Sequence, residues 1–322
     1  MTQKINYGNE SNTLKVGGLF AGIGGIELGF KKAGFEISWA NEIDKNAAIT
    51  YRKNHKHKLF EKDLKDLKTN EVDTIDILTG GFPCQAFSVA GYRKGFKDDR
   101  GNVFFEILRF VDDIEPKVIF LENVKNLQGH DEGRTFNIIL DELQKRGYHV
   151  DYKVLNSSEY ANVPQNRERI YIVGFKDEKA FEKFTFPKPK RLTKKIEDLI
   201  DDIAEEKFYY NNSKYYTQLK EEMKNTDTVY QWRRKYVREN KSKLCPTLTA
   251  NMGTGGHNVP LVIDKKDIRK LTPRECARFQ GYDENFILCD TIAPSHLYKQ
   301  IGNSVTVPVI EAIAKEIKRA LS

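Results

Sequence analysis

Residues 14–42 read LKVGGLFAGIGGIELGFKKAGFEISWANE, and this order constrains the fold more than any other stretch. A short apolar run enters a glycine-rich turn, an amphipathic helix follows, and a second apolar run closes the unit, which is a βαβ opening. The alternation continues with strand patterns at 74–80 (TIDILTG) and 117–123 (KVIFLEN), separated by a helical pattern at 102–114. A further helix at 134–147 ends on a glycine suited to a C-cap, and strand runs HVDYKVL and RIYIVGF follow. Strands alternating with helices predict an α/β protein with a doubly wound, mostly parallel sheet.

After Phe175 the pattern breaks. Residues 186–268 hold PKPKRLTKK, a charged helical stretch, a basic aromatic run and TLTANMGTGGHNVPLV, and read as a second, smaller and less regular domain. Helical character returns at LTPRECARFQGY, where Thr272 as N-cap, Pro273 at N1 and Glu275 at N3 spell a capping box. The closing helix VPVIEAIAKEIKRAL places Val307, Ile310, Ala314, Ile317 and Leu321 on one apolar stripe. The expected division is 12–185 plus 269–322 for the sheet domain and 186–268 for the smaller one.

A chain 39% apolar and 31% charged is neither disordered nor membranous. No run approaches the ~20 apolar residues of a spanning helix, and the first residues lack a signal-peptide core, so a cytoplasmic protein is expected. Four cysteines without a C-x-x-C pair, and no clustered histidines, point away from a metal or a disulfide framework. Net charge is +7, a weak pointer to a polyanion. The run YQWRRKYVRENKSK at 230–243 is a stronger one, with six Lys/Arg, Arg233 and Arg234 among them, against one Glu, interleaved with aromatic residues.

Several strand ends carry chemistry. Gly22 and Gly24 form the turn after the first strand, but Glu27 stands where a dinucleotide fingerprint has its third glycine. Glu42, at the end of the second strand, is placed to bind a ribose diol, and Asp63 to read an adenine amino group; together they favour an adenosine cofactor such as S-adenosylmethionine over NAD. Cys84 follows Pro83 on a glycine-flanked loop with basic residues beyond it, where a packing cysteine gains little and a nucleophile fits. Glu122 and Asn123 end another strand at the same sheet edge, beyond which open α/β sheets bind ligands. Arg167 and Arg169 share one side of an extended segment, aimed at a phosphate or carbonyl oxygen or engaged in ion pairs on the sheet face.

In order, FAGIGG, GFPCQ with AFS, ENV, QNRERIYIVG, RKLTPRECARFQGY and QIGNS resemble the motif blocks of the DNA cytosine-C5 methyltransferases, over nearly the whole chain except about 186–268. The resemblance implies a Rossmann-like S-adenosylmethionine-dependent fold in which 186–268 is the target-recognition domain. It implies that Cys84 attacks C6 of a cytosine flipped from the duplex, that Glu122 holds the N3/N4 edge, and that Arg169 meets the O2 side with Arg167 in support. For the cofactor it implies Phe20 at the adenine or sulfonium surroundings, Gly22 and Gly24 at the methionine moiety, and Glu42 at the ribose. Ile43 and Asp63 would contact adenine, with Asn303 and Ser304 closing the site. Thr247 and Ser88 resemble phosphate-gripping residues, and residues 89–100 a loop that closes over DNA. The partner is then double-stranded DNA, with a separate cognate restriction endonuclease and a monomeric enzyme as further expectations. An RNA cytosine methyltransferase of the same architecture and a non-catalytic DNA-binding regulator are the competing readings; methyl transfer to DNA against tRNA separates them.

Overall fold

The computed structural model describes residues 13–82, 103–233, 235–254 and 258–322. Cys84, Ser88, the expected loop at 89–100 and Arg234 lie outside the described residues.

The chain begins with β1 (Lys15–Leu19), α1 (Gly25–Lys32), β2 (Glu36–Asn41), α2 (Lys45–Asn54), β3 (Lys58–Phe60) and β4 (Ile77–Gly81). There follow α3 (Val103–Ile114), β5 (Val118–Val124), α4 (Arg134–Lys145), β6 (His149–Asn156), the single turn α5 (Ser157–Tyr160), β7 (Gln165–Asn166), β8 (Glu168–Phe175) and α6 (Glu178–Lys183). Seven strands form one sheet in the order β3-β2-β1-β4-β5-β8-β6. All its neighbours run parallel except β8, which is antiparallel to both β5 and β6. The reversal has a simple cause: only the single turn α5 and the two-residue β7 lie between β6 and β8, too little for the crossover that a parallel pair needs.

Val118 to Leu121 of β5 are fully buried, as expected for a central strand covered on both faces. One layer includes α1 and the last helix, α10 (Val307–Leu321), and the opposite layer α3 and α4. The stripe expected on α10 is buried at Val307, Ile310, Ala314 and Ile317 and half-buried at Leu321. α10 comes so close to α1 that a Cβ on Gly29 would fall 2.6 Å from Ile310, which fixes glycine there. Contact between α1 and α10, near the two ends of the sequence, therefore closes the layer beside the glycine turn after β1.

Two elements escaped the sequence pattern. Helix α2 has no clean apolar stripe, and its start is set by Asp44, whose carboxylate accepts from the backbone of Asn46 and Ala47. Strand β3 is three residues long, too short to show a period.

The remaining elements are α7 (Tyr216–Glu222), β9 (Tyr230–Trp232), β10 (Val237–Glu239), β11 (Cys245–Pro246), β12 (Leu261–Ile263), β13 (Ile268–Lys270), α8 (Pro273–Phe279) and α9 (Pro294–Asn303). A four-stranded antiparallel sheet, β10-β9-β12-β13, covers a small cluster of its own that includes Leu219, Met223, Tyr230 and Trp232. Ile196, Leu199, Phe208, Cys245 and Met252 belong instead to the main core, so much of 186–268 packs onto the large sheet domain. The capping box at α8 is present, and Glu275 also receives the buried Arg269 guanidinium at 2.7 and 2.8 Å. Among the described residues no helix is long and apolar enough to cross a membrane.

Candidate active site

The turn after β1 reverses the chain through three positive φ values: 55° at Phe20, 58° at Gly22 and 86° at Gly24. Glycine adopts this region freely, whereas a phenylalanine there costs on the order of 1–2 kcal/mol, strain of the kind that gathers at functional sites. The turn is tied to the next strand end, because Gly22 N donates to Glu42 Oε2 at 2.7 Å and Asp44 N to Glu42 Oε1 at 2.6 Å. Glu42 is thus a fixed acceptor between the turn and the start of α2. Lys299 of α9 closes this side through a 2.9 Å ion pair with Asp44.

The opposite wall comes from β5 and β8. Glu122 is buried near the end of β5, and Arg169 Nε lies 3.2 Å from its Oε1 in ion-pair range. That oxygen accepts no hydrogen bond among the described residues. Burial pushes the Glu122 carboxyl above its ordinary value, against the opposing pull of Arg169 and Arg167. Arg167 is buried, and its guanidinium donates to the carbonyls of Leu248 at 2.7 Å, Ser304 and Gly302. It joins the start of β8 to the loop before α10 and to the segment after β11, a positioning role. Next to Glu122, Asn123 Nδ2 donates to Phe82 O at 2.8 Å and anchors the chain two residues before Cys84.

Both walls face one cleft of about 430 Å³. Of the residues singled out in the sequence, Phe20, Gly22, Glu42, Glu122, Asn123, Arg167, Arg169, Asn303 and Ser304 line it. Gly24, Ile43 and Asp63 do not. Gly24 sits over the ring of His55, Ile43 is 61% exposed beside Glu42, and exposed Asp63 caps a short turn through Lys65 N. Sequence reasoning passed over Asp44, Lys299 and Gln300 in the lining, although an Asp just before a helix is a legible N-cap signal. It also gave Glu27 no role. This carboxyl fills the space beneath Gly18, where a Cβ could not fit, and burial raises it to about 8.

A second, polar cleft of about 470 Å³ adjoins the first through β7 and β11. Thr247 lines it, with its hydroxyl donating to Asn166 O at 2.7 Å, and so do Arg233, Gln231 and Arg238.

The sequence profile described as C-5 cytosine-specific DNA methylase matches residues 14–319. The chain belongs to that family. This methylase is 58% identical over 314 residues to the type II methyltransferase M.Bsp6I of Bacillus sp. (strain RFL6), covering 96% of the chain and 99% of the relative. It is 38% identical over 319 residues to the type II methyltransferase M.HhaI of Haemophilus parahaemolyticus, covering 94% of each. Among solved structures, Spodoptera frugiperda DNMT2 superposes with a TM-score of 0.76 at 20% identity, over 95% of the methylase and all of the other chain. The Entamoeba histolytica methyltransferase EhMeth gives 0.74 at 19%, over 96% and 99%. Those two likenesses show the fold; the family and the type II relatives show that the methylase is a cytosine-C5 DNA methyltransferase.

Proposed function

We propose that this methylase transfers the methyl group of S-adenosyl-L-methionine to C5 of a cytosine flipped out of a specific short double-stranded DNA sequence, through a covalent Cys84–C6 bond. The reading rests chiefly on one arrangement: the glycine turn held by Glu42 and the buried Glu122 beside Arg169 share a single cleft. The residues fit the cofactor. Glu42 is a fixed acceptor for a ribose diol, and a Cβ on Gly22 would meet nothing within 4 Å, so the turn leaves open space. Phe20, Asn303 and Ser304 complete the walls, Gly24 shapes the turn, and Ile43 and Asp63, which do not line the cleft, are the proposed adenine contacts. When bound, the cofactor supplies an electrophilic methyl group.

C5 of neutral cytosine is a poor nucleophile, and the ring is hidden within the duplex stack. The Cys84 thiolate forms the Sγ–C6 bond, and the C5–C6 π pair moves to C5. Glu122, kept protonated more easily by burial, gives a proton to N3 and offsets the charge that develops in the ring. Arg169 holds O2. Once C5 carries the methyl group, solvent takes its proton, the C5–H pair re-forms the C5–C6 double bond as the Sγ–C6 pair returns to Cys84 as thiolate, and N3 gives its proton back to the Glu122 carboxylate. Cys245 and Cys276 are poor candidates for this attack, because both are buried and their thiols are pushed up.

Residues 186–268 act as the target-recognition domain, and Thr247, Arg233, Arg234 and Ser88 grip phosphates. The biological role is protection of host DNA in a restriction-modification system. The test is transfer of a tritiated methyl group to unmethylated DNA and to tRNA, followed by bisulfite sequencing of the DNA. 5-Methylcytosine in one short context, abolished in Cys84→Ala with cofactor binding kept, supports the reading. Transfer to tRNA alone, or cofactor binding with no transfer to either, overturns it.

A further inference from the structure

The second cleft has a wall built for one kind of base edge. β9 and β10 form an antiparallel ribbon in which Arg238 lies directly across from Gln231. Tyr230 and Trp232 are buried in the small core beneath the ribbon. By the two-residue period, Gln231 and Arg238 then share the outer face, and both line the cleft. The ribbon's turn is closed by Arg233 N donating to Tyr236 O at 2.9 Å, and it carries the aromatic ring of Tyr236 56% exposed.

Two details restrict what this face can recognise. The Arg238 guanidinium makes no hydrogen bond or ion pair among the described residues, and no carboxylate is among the described residues lining the cleft. Arg233 Nη2 donates to Gln231 Oε1 at 3.2 Å. A guanidinium can only donate, so this bond sets the amide with its oxygen toward Arg233 and its NH₂ group on the other side. A free glutamine pairs with adenine by accepting from N6 and donating to N7, whereas here Arg233 occupies one lone pair of the oxygen and the NH₂ group is left for an outside acceptor. With Arg238 opposite, the face presents donors to a groove edge that must supply acceptors.

We propose that Arg238 and Gln231 read a guanine through its O6 and N7 in the major groove beside the target cytosine, with Arg233 setting the Gln231 amide. A two-stranded ribbon fits that groove, and guanine alone presents two acceptors there without a donor or a methyl group. The adjoining position of the cleft carries the rest of the argument. Asn166 and Thr247 line it, while their neighbours Arg167 and Leu248 are joined by the 2.7 Å bond behind the catalytic wall. The base read by the ribbon is therefore close to the one that is methylated. This inference rests on the DNA reading of the preceding section.

The full-length protein and its Arg238→Lys and Arg238→Ala variants would be given a DNA library randomised around cytosine, and methylated contexts read by bisulfite sequencing. In the parent protein one guanine position is expected in the methylated context. Both variants should lose about 10-fold or more of the discrimination at that position, within the range of a bidentate base contact. Arg238→Lys is the decisive variant, because it keeps the charge and would largely preserve a phosphate contact. Arg233→Ala should admit adenine at the same position. An unchanged context in both Arg238 variants, or equal weakening on all contexts with a reduced salt slope in Arg238→Ala alone, overturns the inference and leaves the methyltransferase reading standing. No methylation of any DNA by the parent protein overturns both. Equilibrium binding of S-adenosylmethionine confirms that each variant is folded.

Discussion

Arg169 Nε stands 3.2 Å from Glu122 Oε1, across the antiparallel pair β5 and β8. The arginine counters part of the cost of burying the carboxyl, yet burial wins and the proton affinity of Glu122 stays raised. Glu122→Gln keeps the shape and a donor for the base edge but has no proton to give. Its methyl-transfer rate in a single turnover should fall by roughly 100-fold or more, the scale of a lost general acid. Cofactor affinity should stay within a few-fold. A parallel collapse of cofactor binding would show that Glu122 holds the cleft together rather than serving the base.

Asn123 makes a different kind of contribution, since its side chain reaches back to Phe82 O and joins two strand ends. Asn123→Ala leaves that buried carbonyl without its partner, at a cost of about 1–3 kcal/mol. Because Cys84 follows two residues later, the expected signature is a lower single-turnover rate together with slower labelling of Cys84 by a thiol reagent. Unchanged labelling at unchanged rate would separate the Asn123 contact from the nucleophile.

Much of this site could be read from the chain because strand ends in an open α/β sheet announce themselves. An apolar run that stops at a glycine turn, at Glu42 or at Glu122 places those residues on one edge without further information. The reversed direction of β8 does not show in its own period, which is the same whichever way a strand runs, and only the short connection from β6 carries it. Nor were Lys299 and Gln300, which reach the cleft from a helix more than 250 residues beyond Asp44 in sequence and carry no local signal. Glu27 looked like a broken glycine fingerprint. In three dimensions the exchange is compensated, with Gly18 on the strand supplying the space that a helix glycine would otherwise leave.

Arg269 offers a test of how the small sheet is attached. It is fully buried at the centre of β13, paired with Asp264 and with both carboxylate oxygens of Glu275, and the side chains of Asp264 and Glu275 are buried too. Removing one partner of such a group strands the other charges, so Arg269→Ala should cost about 3–5 kcal/mol in urea unfolding. Replacing Arg269, Asp264 and Glu275 together with apolar residues of similar volume should recover much of that loss. A single-variant cost below about 1 kcal/mol would mean that water reaches the pairs and screens them.

The buried Glu27 makes stability depend on pH with a definite sign. Its folded value is raised from 4.5 to about 8 by burial, with Glu42 adding to the rise. Between those values the folded protein keeps a proton that the unfolded chain releases, so stability present below pH 4.5 is lost as pH climbs toward 8. His55 and His57 act oppositely. Both are lowered to about 4, so the unfolded chain binds their protons first and stability rises from pH 4 toward 6.5. In Glu27→Gln the histidine contribution remains and the carboxyl contribution disappears. The difference in unfolding free energy between the parent protein and this variant should therefore shift against the parent by on the order of 3–5 kcal/mol from pH 4.5 to 8. A flat difference across that range would mean that Glu27 is already ionised in the folded protein, and the space beneath Gly18 would then have to hold a charge rather than a neutral acid.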